Sequence, residues 1–444
     1  MKKLIFIFLM MSIFPLLTYS QWNIETVDTA ETVGKACDII VDANGYPHIS
    51  YRDGTIGWRL KYAHWNNSEW QKAFVETNES VYGVTSIALD DTGNPHIAFF
   101  TDGKLWHAWW DGSDWQQEVV DALIWVDVGE WNSITFDTDG YPHIAYTYYT
   151  GDSYLKHAYK DVSGWHTQVA DSLTGDEFQY VSLALDGNNN PHISYYDWKD
   201  DDLKYAYYNG ANWNIERVDS TGQVGTCSSI ALDGIDYPHI SYTDGTNGGV
   251  KYASWDGSDW QIETVESNIV TGLGLYTSLA LDANDRPYIS YAEYMSNMRF
   301  AYWDGSNWQI EIVDSAVSCE WTSLAIDNNG YCHIAYYDSG DSTNLKYAKR
   351  IPTTEGIAFY YMNENNINIY PNPSKESITI DISSNNSLKF KAEIFDIQGK
   401  KLKQQRLTKV KSEMNISDLS RGIYIIKIKN ENKKVIKCNK IVKE

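Results

Sequence analysis

Residues Trp22–Asp28 read Trp-Asn-Ile-Glu-Thr-Val-Asp, and residues Pro47–Tyr51 read Pro-His-Ile-Ser-Tyr. The first pattern, an indole followed six residues later by an acid, returns at Trp70–Glu76, Trp115–Asp121, Trp165–Asp171, Trp213–Asp219, Trp260–Glu266 and Trp308–Asp314. The second returns at Pro95, Pro142, Pro191, Pro238, at Pro287 with Tyr288 in place of His, and at Cys332 with Cys in place of Pro. Each occurs seven times, and the second steps by 48, 47, 49, 47, 49 and 45 residues. A period of that size marks a solenoid, a propeller or an array.

Each unit holds four short runs of alternating or β-branched character between Gly, Asn and Asp turns, as at Ser182–Asp186, His192–Tyr196, Leu203–Tyr208 and Trp213–Asp219. No window carries an apolar stripe of helical period, so the repeat is all-β. Four strands of about five residues with their turns fill ~45 residues, one propeller blade. The phase of the two patterns then decides the architecture. A Trp strand precedes the first Pro-His-Ile strand, and none follows the last. The final unit (Ser323–Asp327, His333–Tyr337, Leu345–Lys349) lacks its fourth strand, and Trp22–Asp28 supplies it. Pairing the two ends closes a ring and removes its open edge. The expected fold is a seven-bladed β-propeller over residues 21–352 whose N-terminal strand completes the last blade.

Repeated polar residues read as scaffold. An Asp ends the first strand of every unit, from Asp42 and Asp90 to Asp327, where its carboxylate suits a tight Asx-type turn. Asp-Gly-Ser-x-Trp at Asp111, Asp256 and Asp304 resembles the Asp-box of sialidase-type propellers, one residue shorter. His48, His96, His143, His192, His239 and His333 share one position; Ser86, Ser133, Ser182, Ser229, Ser278 and Ser323 share another, with Asp38 in blade one. They are similar to the His/Ser network of WD-repeat propellers and are expected to lock each hairpin as polar pairs.

Because the terminal strand is outermost, the first strand of each unit should line the channel, and function should lie where the mouth breaks the repeat. There stand Trp131, Tyr180, Tyr276 and Trp321, with Glu130 and Glu320 directly before two of them; neighbouring loops carry Trp58, Trp125 and Trp198. Aromatic platforms beside carboxylates suit a neutral glycan, and the same surface would suit a protein ligand. The competing class is a polysaccharide-degrading enzyme. Glu130 and Glu320 would be its carboxylate pair as a glycoside hydrolase. Arg52, Tyr148 and His107 would serve a lyase, but an acidic domain repels polyanions. A sialidase lacks its arginine cluster. No cofactor motif is present; calcium is the ion that acidic loops such as Asp200–Asp202 or Asp338–Asp341 would admit, without a defined ligand spacing.

Charge divides along the chain. Residues 351–444 carry 17 Lys/Arg and 10 Asp/Glu, whereas residues 1–350 carry 19 and 49, a net of −30 that excludes nucleic acid as a partner. Five unpaired-looking cysteines give neither a disulfide framework nor a zinc pattern. Lys2 and Lys3 before the apolar run Leu4–Leu17, then Thr18-Tyr19-Ser20, read as a signal peptide over residues 1–20. The run is shorter than the ~20 residues of a spanning helix, and no transmembrane span is expected.

After a linker at 353–368, strand-like runs at Ser377–Ile382, Lys391–Phe395 and Gly422–Lys429 suggest a small β-sandwich over 369–444. Tyr370-Pro371-Asn372-Pro373, Ile394-Phe395-Asp396-Ile397-Gln398-Gly399-Lys400, Ile416–Leu419 and Gly422-Ile423-Tyr424 closely resemble, in that order, the type IX secretion sorting domain of Bacteroidetes. The resemblance implies export through the periplasm by the type IX machinery, then release or attachment at the outer surface, of a protein expected to be monomeric.

Overall fold

The computed structural model describes residues 22–443 apart from 31, 56, 76–78, 124–125, 270–275, 294–295, 316–317, 341–342, 351–366, 371–373, 383–389, 396–399, 408–410 and 430–434. The expected signal peptide at 1–20, Trp125 and most of the expected linker at 353–368 therefore lie outside the described residues. The chain divides into two compact units, Met1–Thr353 and Thr354–Glu444.

The first unit is a seven-bladed propeller of four-stranded antiparallel sheets. Blade one runs outward from the channel as Val33–Val41, Pro47–Asp53, Arg59–Trp65 and Trp70–Phe74. Blade seven runs Cys319–Ile326, Cys332–Asp338 and Asn344–Arg350, and its outermost strand is Trp22–Asp28, with Trp22 opposite Arg350 and Ile24 opposite Ala348. The inner strand of blade one also packs against that of blade seven, completing the ring. Burial follows this order: Pro47–Asp53 is buried at all but Arg52, because both faces of a blade meet neighbours, whereas only Val27 and Asp28 of the outer strand are buried.

The repeated indoles and acids tie one blade to the next. Trp22 Nε1 donates to Glu311 of blade six at 3.1 Å, and Trp70 Nε1 of blade one donates to Glu25 of the closing strand at 3.1 Å. Asp28 accepts Tyr51 Oη at 2.8 Å and Lys61 Nζ at 2.7 Å from blade one. Asp219 repeats this toward blade five with Tyr242 and Lys251, both at 2.8 Å.

The His and Ser positions do different work from the hairpin pairs expected of them. Each His sits between the turn Asp and the third strand: His333 Nδ1 meets Tyr347 Oη at 2.7 Å while its Nε2 lies 3.4 Å from Asp327. In blades two and three the partner is a second histidine, His107 or His157. The Ser hydroxyls instead join blades. Ser86 accepts Ile134 N–H, Ser133 accepts Leu183, Ser182 accepts Ile230, Ser229 accepts Leu279, Ser278 accepts Leu324 and Ser323 accepts Ile39, at 2.9–3.2 Å. Asp38 completes the circle by accepting Ile87 N–H at 2.9 Å, and also takes the hydroxyls of Ser86 (3.1 Å) and Ser323 (2.6 Å). Side chains on successive inner strands face the channel together, so they bridge blades rather than strands.

The turn acids behave as expected: Asp42 Oδ1 accepts the N–H groups of Asn44 and Tyr46 at 2.9 and 2.8 Å.

Inner strands begin earlier than the alternation suggests. That of blade four runs Phe178–Leu185, with a bulge between Gln179 and Ser182 and Tyr180 at φ 54°.

The second unit packs the sheet Ile367–Tyr370, Ser377–Ile382, Lys411–Asn415 over the sheet Lys401–Leu407, Phe390–Phe395, Gly422–Lys429, Val435–Lys443. Ile378, Ile380, Ile394, Met414, Ile426 and Ile428 share its core, a β-sandwich. On its other face Glu393 meets Lys391, Lys401 and Lys429, which outweigh partial burial and hold its carboxyl at about 2.

Candidate functional site

The bulge places one side chain per blade on a common level at the start of the channel: Ala36, Val84, Trp131, Tyr180, Cys227, Tyr276 and Trp321. Below them the Ser ring surrounds a cavity of about 150 Å³. The four aromatics meet in one arc. Trp131 and Tyr180 lie 4.3 Å apart at 50°, Tyr180 and Tyr276 6.2 Å apart edge to face, and Tyr276 stacks on Trp321 at 3.9 Å and 24°. They form the floor of the mouth, and all four stay partly exposed. Tyr180 continues to Tyr196 (6.3 Å) and from there to the exposed Trp198 (5.8 Å).

The floor is chemically quiet. Burial first, then Cys227 and Tyr180, hold the Tyr276 phenol far above its usual range, and burial raises the Cys37 and Cys227 thiols out of nucleophilic range.

One residue further out, the repeat position carries Lys35, Gly83, Glu130, Gln179, Thr226 and Glu320. Partial desolvation, then Glu177 and Asp127, push the Glu130 carboxyl up, with Arg52 opposing. The carboxylates acting most on Glu130 are thus its neighbours in blades three and four. Gly83 lets blades two and three approach closely: it has φ 60°, and a Cβ there would fall 2.2 Å from the Glu130 carbonyl oxygen. Arg52 donates from Nη1 to the Gly83 carbonyl at 2.9 Å. Its guanidinium lies 5.0 Å over the Trp58 ring, with Lys35 Nζ 5.1 Å from the same ring and 5.5 Å from Tyr337.

Of the residues nominated from sequence, Trp131, Tyr180, Tyr276 and Trp321 meet in series, each touching the next. Trp198 joins them through Tyr196, and Trp58 stands with the cations of blade one. Glu130 and Glu320 precede floor residues in blades three and seven. The lyase set does not assemble. Arg52 is at the mouth and Tyr148 stacks on Tyr154 at 4.5 Å, but His107 is buried within blade two, bonded to His96 and Glu118. Sequence reasoning passed over Lys35, although it breaks the same repeat position as Glu130 and Glu320. Arg52 breaks the pattern too: the residue after Pro-His-Ile-Ser-Tyr is aromatic, Thr or Ala in every other blade. Among the described residues no His, Cys, Asp and Glu are grouped to hold a metal ion, and no helix is long and apolar enough to cross a membrane.

Several solved structures are similar over the propeller. An ulvan lyase of polysaccharide lyase family PL25, bound to -[GlcA(1-4)Rha3S]-, is 13% identical, with 72% of this chain and 94% of that chain covered and a TM-score of 0.49. The SapL1 lectin in complex with alpha methyl fucoside is 13% identical (65% and 99% covered, TM-score 0.46), and the NanB sialidase of Streptococcus pneumoniae 10% (73% and 69%, TM-score 0.42). No curated protein sequence matches significantly. Residues 368–444 match the secretion system C-terminal sorting domain, so the chain carries a type IX sorting domain, which indicates secretion and attachment at the outer membrane or cell surface.

Proposed function

We propose that this protein is a secreted or surface-attached binding propeller that recognises an extracellular glycan at its channel mouth. Trp131, Tyr180, Tyr276 and Trp321 would form the platform, with Trp58 and Trp198 as flanks. The carrying observation is the unbroken aromatic arc on the one level where the sevenfold pattern fails, ringed by Lys35, Arg52, Glu130 and Glu320. A sealed channel needs only packed apolar side chains; a floor that stays partly exposed beneath polar groups is the form of a saccharide site. Thiols and phenols held in their neutral forms favour binding over catalysis at the floor. A glycan array with the mature chain tests this. Binding should appear and fall at least tenfold in Trp131→Ala and Trp321→Ala. Binding to no glycan, or binding indifferent to both changes, overturns the reading, and a protein ligand captured by the same face would then replace it.

A further inference from the structure

Blade one presents an electrostatic arrangement that the fold alone does not require. Lys35 and Arg52 are direct cross-strand partners, and like charges in that position destabilise a sheet. Both lie over one indole, Trp58. Neither has a carboxylate within 4.0 Å among the described residues. Four of the domain's other arginines differ: Arg217, Arg286, Arg299 and Arg350 each hold a carboxylate at 2.5–2.8 Å. In a region with 49 acids, an arginine finds an acid unless its place forbids one. Arg52 Nε is also buried without a hydrogen-bond partner. Glu130 acts on the guanidinium through space, as do Tyr276 and Tyr82, without pairing to it. The guanidinium is therefore fixed by Gly83 and Trp58, beside the aromatic floor, without an ion-pair partner among the described residues.

We propose that Lys35 and Arg52 form an anion subsite of the mouth, so that the ligand is a saccharide bearing a carboxylate or sulfate group next to the sugar ring on the aromatic floor. This rests on the glycan reading above and names its ligand class. The anionic group would sit against the paired cations while the sugar face lies toward Tyr276 and Trp321. The surrounding charge limits which anion suits. Beyond about 8 Å at physiological salt the domain's negative field is screened, so a contact pair survives it. A densely charged chain would still run over Glu130 and Glu320. The ligand expected is thus a sparsely charged saccharide with neutral units beside the acidic one.

The test is an array of matched pairs probed with the mature chain: uronate-bearing glycans beside their carboxyl-reduced forms, and sulfated glycans beside their desulfated forms. The acidic member of at least one pair should bind at least tenfold more tightly, the carboxylate and sulfate arms identifying the source. Arg52→Gln and Lys35→Met should each remove that preference, with the circular dichroism spectrum and, in Lys35→Met, the melting temperature near wild type. Lys35→Met leaves the Gly83 contact intact and so guards against a folding defect in Arg52→Gln. Equal binding of both members in every pair, or a preference that survives both substitutions, overturns the anion subsite and leaves the glycan reading standing. Binding to neither member of any pair overturns both.

Discussion

Ring closure is testable at one buried carboxylate. Asp28 reaches blade one from the first strand of the described chain, where it accepts Lys61 Nζ at 2.7 Å and Tyr51 Oη at 2.8 Å, with Lys72 at 3.4 Å. The Asp28 and Lys61 side chains are 6% and 11% exposed, so solvent screens the pair little. Burial alone would raise the Asp28 carboxyl; hydrogen bonds from Lys61 and Tyr51 outweigh it and hold the group below its ordinary 3.8. In Asp28→Asn the oxygen shared by Tyr51 and Lys61 becomes a neutral amide oxygen, so the charge assistance of the Lys61 bond is lost, a loss within the about 1.5–3 kcal/mol of a hydrogen bond to a charged group. Lys61 keeps Asp53 at 2.9 Å, so the ~3–5 kcal/mol of an orphaned buried charge is not reached. The expected loss is about 2–3 kcal/mol, a large part of the 5–15 kcal/mol typical of a domain. The assay is equilibrium urea unfolding followed by tryptophan fluorescence, in a double-mutant cycle with Lys61→Met. A coupling of about 1.5 kcal/mol or more is expected. The sign with pH is fixed by the depressed carboxyl: its stabilisation is complete above the unfolded value and disappears as pH falls through the folded one, so only the wild type should show this acid-linked loss. Additive effects within ~0.3 kcal/mol would refute a docked closing strand.

Three further outcomes follow from the same geometry. Gly83→Ala sets a Cβ 2.2 Å from the Glu130 carbonyl oxygen at φ 60°, so it should cost about 1–3 kcal/mol in urea unfolding and abolish ligand binding at the mouth. Asp38→Ser restores the seventh serine of the inter-blade ring. Burial raises the Asp38 carboxyl despite bonds from Ser323, Ile87 and Ser86, so its cost to the folded state is absent below the unfolded value and grows as pH rises toward the folded one. The variant should accordingly gain on wild type in urea midpoints as pH rises above about 4. Trp22→Phe removes the indole N–H bond to Glu311, which retains Arg350 at 2.7 and 3.0 Å, and trims the ring that packs on Phe300, so its cost should exceed the about 0.5–1.5 kcal/mol of the hydrogen bond alone, with an unchanged urea m-value.

The ring was legible because blade closure is a matter of phase, and phase survives in a one-dimensional pattern: Trp22–Asp28 has no third strand before it, and Asn344–Arg350 has no Trp strand after it. What stayed hidden was three-dimensional neighbourhood. The Ser of each inner strand was paired in thought with the His of its own hairpin, but a channel-facing side chain is closer to the next blade than to the next strand. The bulges were also invisible, since Tyr180 and Trp321 at positive φ interrupt the alternation that marks a strand, and with it the level on which the floor forms. In the tail, Lys401–Leu407 and Lys411–Asn415 are strands of polar sequence, without the apolar alternation that identified Ser377–Ile382.

Departures from the repeat differ in what they cost. An aromatic at the channel level adds apolar contact, so Trp131 or Tyr276 stabilises the ring whether or not anything binds there. A charge does not. Six serines carry the inter-blade circle without charge, whereas Asp38 bears a desolvation penalty; six blades keep an uncharged residue where Arg52 stands, and Arg52 opposes Lys35 across the same strand pair. All three departures fall in blade one. Packing therefore rewards the aromatics of the floor in any case, and it is their partial exposure that points to a ligand, while the cations of blade one call for a partner beyond the fold. Loss of ligand in Lys35→Met with stability unchanged or improved would separate the two, because a residue kept for the ring cannot be removed at no cost to it.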